Sequence, residues 1–169
     1  SASVAMEPAT GDVLAVVGAT KYEGFRTYNR ATQMPMAPGS TIKPLSVYTP
    51  ALEAGYAVDA EVMDDDSLTY GDDAYSVSNY DRNSLYDTLP MYQAIAESKN
   101  TSAVWLLDKL GIQRGISKLE DFGISIGEAD ENLGAIALGG MSKGVTPVQL
   151  ASAYTTFVNE GVRTEARFI

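Results

Sequence analysis

The stretch APGSTIKP, residues 37 to 44, decides how the rest of this chain is interpreted. It places Ser40 three residues before Lys43, with a Pro-Gly pair on one side and Pro44 on the other. Because residues three apart on a helix share a face, the Lys43 amine can reach the Ser40 hydroxyl if a helix begins here. Proline is tolerated only in the first helical turn, so Pro44 predicts a helix that starts close to Ser40 and continues to about residue 54.

Two interpretations of this Ser-x-x-Lys pattern are open at the level of the sequence. In the first, Ser40 is a nucleophile, and a lysine accepts its proton once burial or a nearby positive charge lowers the lysine pKa from about 10.4. The free N–H groups of the helix start would then hold an oxyanion. In the second, Ser40 caps an ordinary helix and Lys43 is a solvated residue of the first turn. A chain of this length contains roughly one such pattern by chance, so the pattern alone does not decide.

Composition limits the chemistry that this chain can perform. The 169 residues suit one domain with a sizeable core, and a content of 45% hydrophobic and 20% charged residues is typical of a globular protein. The net charge of −10 argues against a nucleic-acid partner, since phosphate binding needs basic surface. Cysteine and histidine are both absent, which excludes Ser-His-Asp triads, thiolate catalysis and metal sites built on these ligands. A nucleophile here needs Lys, Asp, Glu or Tyr as its base, and we expect no cofactor and no metal.

The order of predicted elements is that of an α+β fold. Thr146 as N-cap, Pro147 as first helical residue and Gly161 as stop make the last helix the clearest one. Pro50 should kink the first helix or end it early. The predicted elements are two strands within 3–19, a surface loop over 20–38, a helix over about 40–54, two helices within 88–110 with a break at SKNT, and helices over about 113–122 and from 147 to the stop.

Residues 59 to 87 change composition, because acids and tyrosines crowd there and Arg82 is the only basic residue. We expect loops and short strands that are mostly solvated. The run Asp64–Asp66 lacks the alternating oxygen ligands and the sixth-position glycine of a calcium-binding loop. It therefore predicts a solvated acidic surface.

A second pattern, Ser98-Lys99-Asn100, falls at the break between two predicted helices. Its hydroxyl could relay protons between Lys43, Ser40 and a leaving amine, and the Asn100 amide could donate to a substrate carbonyl. The alternative is structural: Asn100 or Thr101 caps the following helix, and Ser98 ends the preceding one.

The two patterns occur once each, in the order and at about the spacing of the active-site serine penicillin-interacting enzymes. With them, the chain resembles the transpeptidase domain of a bifunctional, high-molecular-weight (class A) penicillin-binding protein, in the serine β-lactamase-like superfamily. The resemblance runs almost end to end, through MEPATGDVLAVVGA (6–19), YNRATQ and PGSTIKP (28–44), the stretch from SNYDR to LDKLG (78–111), and LGGMSKGVTPVQLASAYTTFVNEG (138–161). It implies a β-lactamase/transpeptidase-like α+β fold, with a helical cluster packed on an antiparallel sheet.

The resemblance also implies a role for each residue of the two patterns. Ser40 attacks the D-alanyl-D-alanine bond of a peptidoglycan stem peptide, and its backbone N–H forms half of the oxyanion hole. Lys43 accepts the serine proton, Ser98 helps pass a proton to the departing D-alanine, and Asn100 binds substrate amide groups. An amine of a neighbouring stem peptide then attacks the acyl-enzyme, whereas a β-lactam antibiotic leaves Ser40 acylated for a long time.

One departure from the family is serious, because the third motif, Lys-Thr-Gly or Lys-Ser-Gly, is absent from the 169 residues. In the family it lies on a later strand that supplies the other oxyanion N–H, and losing one such donor costs about 2.7–4 kcal/mol of barrier. Residues 1–169 are therefore predicted to be a partial transpeptidase domain, impaired alone, with the missing C-terminal portion of the same domain as its partner. No apolar run reaches the roughly 18 residues of a membrane span. The resemblance implies a parent protein anchored in the bacterial membrane, with this domain on the extracytoplasmic face.

Two other functions remain open at this level. One is a β-lactamase or β-lactam sensor of the same superfamily, which needs a base for a deacylating water. The other is a non-catalytic domain that binds a peptide while keeping the fold. The stretch VTPVQLASAYTTFVNEG favours the penicillin-binding branch.

Overall fold

The computed structural model of the protein describes residues 1–19, 21 and 28–168, and part of the predicted loop over 20–38 lies outside them. The strands are β1 (Ser3–Met6), β2 (Val13–Val17), β3 (Glu61–Asp64), β4 (Thr69–Tyr70), β5 (Tyr75–Ser76) and β6 (Asp87–Pro90). The α-helices are α1 (Thr49–Glu53), α2 (Met91–Ala96), α3 (Asn100–Leu110), α4 (Ile112–Asp121), α5 (Leu133–Leu138) and α6 (Pro147–Val158). A 3₁₀ turn (Gly39–Ile42) and a π-helix (Pro44–Tyr48) precede α1, and a second 3₁₀ turn (Glu128–Asp130) precedes α5. The α+β prediction is confirmed.

The opening hairpin forms as the sequence predicts. β1 pairs with β2 in antiparallel register, and the connecting turn closes with a hydrogen bond from the Glu7 N–H to the Asp12 carbonyl, 2.8 Å long. The chain returns to this hairpin near its end, where the Val13 N–H donates to the Arg167 carbonyl at 2.9 Å. Helix α6 packs against β1, which joins the hairpin to the helical cluster.

The helix predicted over residues 40–54 is one continuous helical stretch with three different pitches. The Thr49 N–H donates to the Pro44 carbonyl, five residues back, which widens the helix just before Pro50. This wide turn places Pro50 in the first turn of α1, where a missing N–H costs little. The kink predicted at Pro50 is thus replaced by a π-helix, and the stretch ends at Gly55, whose φ of +97° favours glycine.

The core lies where the π-helix meets α3, α4 and α5. Its fully buried residues include Leu45, Leu107, Leu119 and Ile136. Helix α4 comes close to the π-helix at Gly115, where a Cβ atom would lie 2.9 Å from the Ser46 carbonyl oxygen. This packing holds the helix that carries Ser40 and Lys43 in the middle of the molecule.

One expectation about the fold was wrong in part, and one helix was missed. The acidic segment 59–87 does form short strands, with β3 paired to β6 and β4 to β5, but it is not simply a solvated surface. Asp64 at the end of β3 is fully buried and hydrogen-bonded. Helix α5 was not predicted, because a run of six residues is too short to display helical periodicity.

Candidate active site

Ser40 lies in the 3₁₀ turn at the start of the helical stretch, and its side chain is exposed. The backbone beside it is held from two sides: the Gly39 N–H donates to the Gly139 carbonyl at 3.3 Å, and the Tyr154 hydroxyl donates to the Thr41 carbonyl at 2.7 Å. Gly139 must be glycine, because its φ is +75° and a Cβ atom there would overlap the Gly39 carbonyl. The turn begins at Pro38 with no side-chain cap, so the interpretation of Ser40 as an ordinary helix cap was wrong.

Lys43 lies one helical turn further on and is buried, with 2% of its surface exposed. Its Nζ donates to three oxygens of the 98–100 turn: the Ser98 carbonyl at 2.7 Å, the Ser98 hydroxyl at 3.1 Å and the Asn100 Oδ1 at 2.7 Å. The interpretation of Lys43 as a solvated residue was therefore wrong. The structure brings Lys43, Ser98 and Asn100 together, with Ser40 on the same turn as Lys43.

The electrostatics of Lys43 follow from its burial among neutral groups. Burial lowers the pKa of Lys43 from 10.5 to about 8, because taking the ammonium out of water disfavours its charged form. The three acceptors are a carbonyl, a hydroxyl and an amide oxygen, and none of them carries a charge that would restore the ordinary value. A lysine with this pKa is partly unprotonated near neutral pH and can accept a proton.

Ser98 ends helix α2 in the left-handed conformation, with φ of +52°. The Ser98 N–H donates to the Ile95 carbonyl at 3.1 Å, so the prediction that Ser98 ends the preceding helix is confirmed. A left-handed residue other than glycine costs about 1–2 kcal/mol, which the surrounding contacts must offset. This conformation aims both the Ser98 carbonyl and its hydroxyl at Lys43.

Asn100 is the first residue of α3, and its amide is held at both ends. Its Oδ1 accepts from Lys43, and its Nδ2 donates to the Ser78 carbonyl at 3.0 Å. A primary amide carries two N–H donors, so one remains for a substrate carbonyl. Neither Asn100 nor Thr101 caps α3, contrary to the structural alternative, since the N-cap position is Lys99 without a side-chain cap.

Sequence reasoning did not predict the buried polar residues that support this turn. Lys99 is buried and forms an ion pair with Asp64, with Nζ and Oδ2 3.3 Å apart. Asn79 and Thr101 join the same group through hydrogen bonds to Asp64 of 2.7 and 2.5 Å. The available signal was an Asp and an Asn inside a segment interpreted as solvated, and nothing local marks them as buried.

Other possible sites lie elsewhere or are not found in the described part of the chain. Residues 1–19, 21 and 28–168 contain no group of three or more carboxylates placed to hold a metal ion. Among the same residues, no helix is both long enough and apolar enough to cross a bilayer. A cavity of about 600 Å³ lies at the far end of α3, beside Tyr70, Tyr75 and Asp108, and includes none of the four site residues.

The structure thus places a serine one turn before a buried lysine that contacts a second serine, which is the set of groups that a serine-type acyltransferase needs. The family model described as the penicillin binding protein transpeptidase domain matches residues 1–169. The chain belongs to this family, as the sequence resemblance predicted.

Curated relatives and solved structures agree with this assignment. The chain is 45% identical to penicillin-binding protein 2a of Streptococcus pneumoniae over 172 residues, covering 100% of this chain and 23% of that protein. It is 44% identical to penicillin-binding protein 1F of Bacillus subtilis, covering 95% of this chain and 21% of that protein. The chain thus spans less than a quarter of the length of these relatives.

The solved structures confirm the predicted transpeptidase-like fold. Penicillin-binding protein 1A of Haemophilus influenzae superposes with a TM-score of 0.86 and 28% identity, over 98% of this chain and 24% of that chain. Penicillin-binding protein A of M. tuberculosis, solved as an imipenem acyl-enzyme complex, has a TM-score of 0.87 over 98% of this chain and 47% of that chain. At 22% identity, the second likeness concerns the fold.

Proposed function

We propose that this chain is the acylating part of a peptidoglycan D,D-transpeptidase domain, with Ser40 as nucleophile and Lys43 as its base. The observation that carries the proposal is the buried Lys43 ammonium, which contacts three neutral oxygens and whose pKa is lowered to about 8. Family membership supports the same chemistry.

In the first step, the Ser40 Oγ attacks the carbonyl carbon of the D-alanyl-D-alanine bond while its proton passes to Lys43 Nζ. The Ser40 backbone N–H stabilises the developing oxyanion at the start of the helical stretch. The C–N bond then breaks, and the nitrogen of the departing D-alanine takes up a proton. The product is an ester of Ser40 with the shortened stem peptide.

Ser98 suits the proton transfer to the leaving group for a chemical reason. An unprotonated lysine donates two hydrogen bonds and accepts one. Of its three partners, the Ser98 carbonyl and the Asn100 Oδ1 can only accept, whereas the Ser98 hydroxyl can also donate. The hydroxyl of Ser98 is therefore the partner through which a proton can move between Lys43 and the leaving amine. The amide of Asn100 keeps a free N–H that can hold a substrate carbonyl.

An amine from a neighbouring stem peptide completes the reaction by attacking the ester carbonyl, which forms the cross-link and frees Ser40. A β-lactam ring opens at the same step, but its leaving nitrogen stays attached, so Ser40 remains acylated. The third motif, which is absent from these 169 residues, would supply the second oxyanion donor. We propose that the chain acts with the rest of its domain, in a membrane-anchored protein on the extracytoplasmic face.

The test is labelling of the full-length protein with a fluorescent penicillin. We expect one slow, stoichiometric acylation in the wild type and none in the Ser40→Ala variant. Equal labelling of both proteins would remove Ser40 from the mechanism. Rapid multiple turnovers of a chromogenic cephalosporin would favour a β-lactamase instead, and no labelling of the wild type would favour a non-catalytic peptide-binding domain.

A further inference from the structure

A buried polar group holds the 98–100 turn through contacts that do not involve Lys43. We call Asp64 and Asn79, with the side chains of Lys99 and Thr101 bound to them, the clamp. Asp64 is fully buried, and its carboxylate accepts from the Thr101 hydroxyl at 2.5 Å and from the Asn79 amide at 2.7 Å. It also accepts from the Leu85 N–H at 3.1 Å, which fixes the carboxylate against the backbone of the acidic segment.

Asn79 caps helix α3 from a distant part of the chain. Its Oδ1 accepts from the backbone N–H of Asn100 at 2.8 Å and from that of Thr101 at 3.2 Å. These are the first N–H groups of α3, which no side chain at its own N-cap satisfies. Asn79 therefore fixes the position of the helix start to which Asn100 belongs.

Lys99 ties the middle of the turn to the same group. Its Nζ lies 3.3 Å from the Asp64 Oδ2 and donates to the Asn83 carbonyl at 3.0 Å. The side chain of Lys99 thus points into the clamp, while Ser98 and Asn100 on either side of it contact Lys43.

The clamp acts on Lys43 only through the turn. All three acceptors of Lys43 belong to Ser98 and Asn100, and none belongs to Asp64 or Asn79. Ser98 also adopts a left-handed conformation, which a serine does not prefer and which outside contacts must hold.

We propose that Asp64 and Asn79 are positioning residues of this site, which fix the 98–100 turn so that Ser98 and Asn100 close over Lys43 and exclude water from it. This inference rests on the function proposed above, and neither residue is assigned any contact with substrate.

If the turn loosens, water reaches Lys43 and its pKa rises towards that of an ordinary lysine, because burial is the cause of the lowered value. The clamp does not act on Lys43 by charge, since no charged neighbour contributes to the lowered value. Apart from the lysine of the turn, the titratable residues on elements in contact with the helix of Lys43 are Tyr48, Glu53, Asp108, Lys109, Arg114, Lys118, Glu120, Asp121 and Tyr154.

The experiment measures the rate of acylation by a fluorescent penicillin across pH in the full-length protein, for the wild type, Asn79→Ala and Thr146→Ala. Thr146→Ala is the matched control. Thr146 is also a buried polar residue whose side chain caps a helix, since its Oγ1 accepts from the Gln149 N–H at 3.2 Å. Its helix, α6, does not carry the 98–100 turn.

We expect Asn79→Ala to slow acylation by about 10- to 100-fold at pH 7.5, as a misplaced catalytic group does. The midpoint of the rise in rate with pH should move up by about half a unit to one unit as Lys43 is rehydrated. Thr146→Ala should lower the melting temperature without moving this midpoint. An Asn79→Ala protein with the wild-type rate and midpoint would overturn the proposal, and so would an equal shift in Thr146→Ala.

A second variant guards against failure to fold. Asp64→Asn with Lys99→Met removes both members of the ion pair, so that no buried charge is left without a partner. It should shift the midpoint in the same direction, and an unchanged midpoint there would also overturn the proposal. Titration of the Lys43 side chain by NMR reports its hydration without using the reaction. Absence of acylation in the wild type would refute the proposed function, whereas an unmoved Lys43 titration in Asn79→Ala would refute the positioning role alone.

Discussion

Two lysines are associated with the 98–100 turn: Lys99 belongs to it and Lys43 donates hydrogen bonds to it. Both are buried, yet their surroundings shift their pKa values in opposite directions. Lys43 is 2% exposed and Lys99 is 5% exposed. Lys43 contacts neutral oxygens, and burial lowers its pKa to about 8. Burial also works to lower the pKa of Lys99, but the hydrogen bond and charge of Asp64, with smaller contributions from Asp81 and Glu97, raise it above the ordinary value.

The difference teaches that burial alone does not make a lysine a base. A carboxylate partner keeps Lys99 protonated and makes it a structural cation, which ties the turn to Asp64. The absence of a charged contact leaves Lys43 free to lose its proton near neutral pH. Along this turn Ser98 and Asn100 contact Lys43, whereas the side chain of Lys99 between them contacts Asp64.

The largest expected effect is a difference between the acylation rates of variants at Lys43 and at Lys99. Lys43→Met should lower the rate of acylation by fluorescent penicillin by about 10³- to 10⁴-fold, since it removes the proposed base. Lys99→Met should lower the rate by about tenfold, because it loosens the turn without removing a reacting group. Stopped-flow labelling of both variants checks this, and equal losses in the two would contradict the distinction.

The next effect concerns stability and tests the ion pair of Lys99. Asp64→Ala should reduce the free energy of unfolding by about 3–5 kcal/mol, because it removes the buried partner of the Lys99 ammonium and leaves only the half-exposed Glu97, whose Oε2 is 3.5 Å away. Glu61→Ala is a control on the same strand, β3, where the side chain is exposed, and should change stability by about 0.5 kcal/mol or less. Urea unfolding measures both, and a mild effect of Asp64→Ala would show that Lys99 finds water instead.

The sequence predicted the parts of the site that depend on local spacing. Ser40 and Lys43 are three residues apart, and Thr146 with Pro147 marks a helix start, so each pattern can be recognised within one helical turn. The structure confirms Thr146 as the N-cap of α6 and adds a capping box with Gln149, which is of the same local kind. The catalytic roles of Ser40 and Lys43 stay predictions.

The clamp could not be predicted, because its contacts join residues far apart in the chain. Asp64 is 15 residues from Asn79 and 37 residues from Thr101, and these separations carry no periodicity. Asp64 also begins a run of three aspartates, and composition alone does not tell which of the three is buried. The π-helix before Pro50 was also missed, because the proline predicts a break in the regular helix without specifying whether a kink, an end or a wider turn accommodates it.

A third effect is the contribution of Lys43 to the pH dependence of the free energy of unfolding. Its pKa in the folded state is about 8, whereas in the unfolded chain it is near 10.5, so between these values the unfolded state binds more protons. The wild type should therefore gain stability as pH rises from about 8 to about 10.5, by on the order of 3 kcal/mol relative to Lys43→Met.

The measurement is the difference between the unfolding free energies of these two proteins at several pH values, because titrations common to both cancel. Lys99 serves as the opposite case, since its folded pKa is raised. Its stabilising contribution is complete below the unfolded pKa and is lost as pH rises through the folded value. If the difference in unfolding free energy between the wild type and Lys43→Met does not change between about pH 8 and 10.5, the pKa of Lys43 is not lowered in the folded protein.

The smallest effect comes from a third lysine, Lys118, which has two carboxylate partners as Lys99 does but no buried one. Lys118 contacts two carboxylates, with its Nζ 2.8 Å from Glu53 and 3.0 Å from Asp121, but both carboxylates are largely exposed. Solvent screening therefore weakens the attraction between Lys118 and each carboxylate. Glu53→Gln should change the free energy of unfolding by about 0.5 kcal/mol or less. The same urea measurements check it, with Asp64→Ala as the reference. A loss from Glu53→Gln as large as that from Asp64→Ala would show that partner count, and not burial, sets the stability contribution of these lysines.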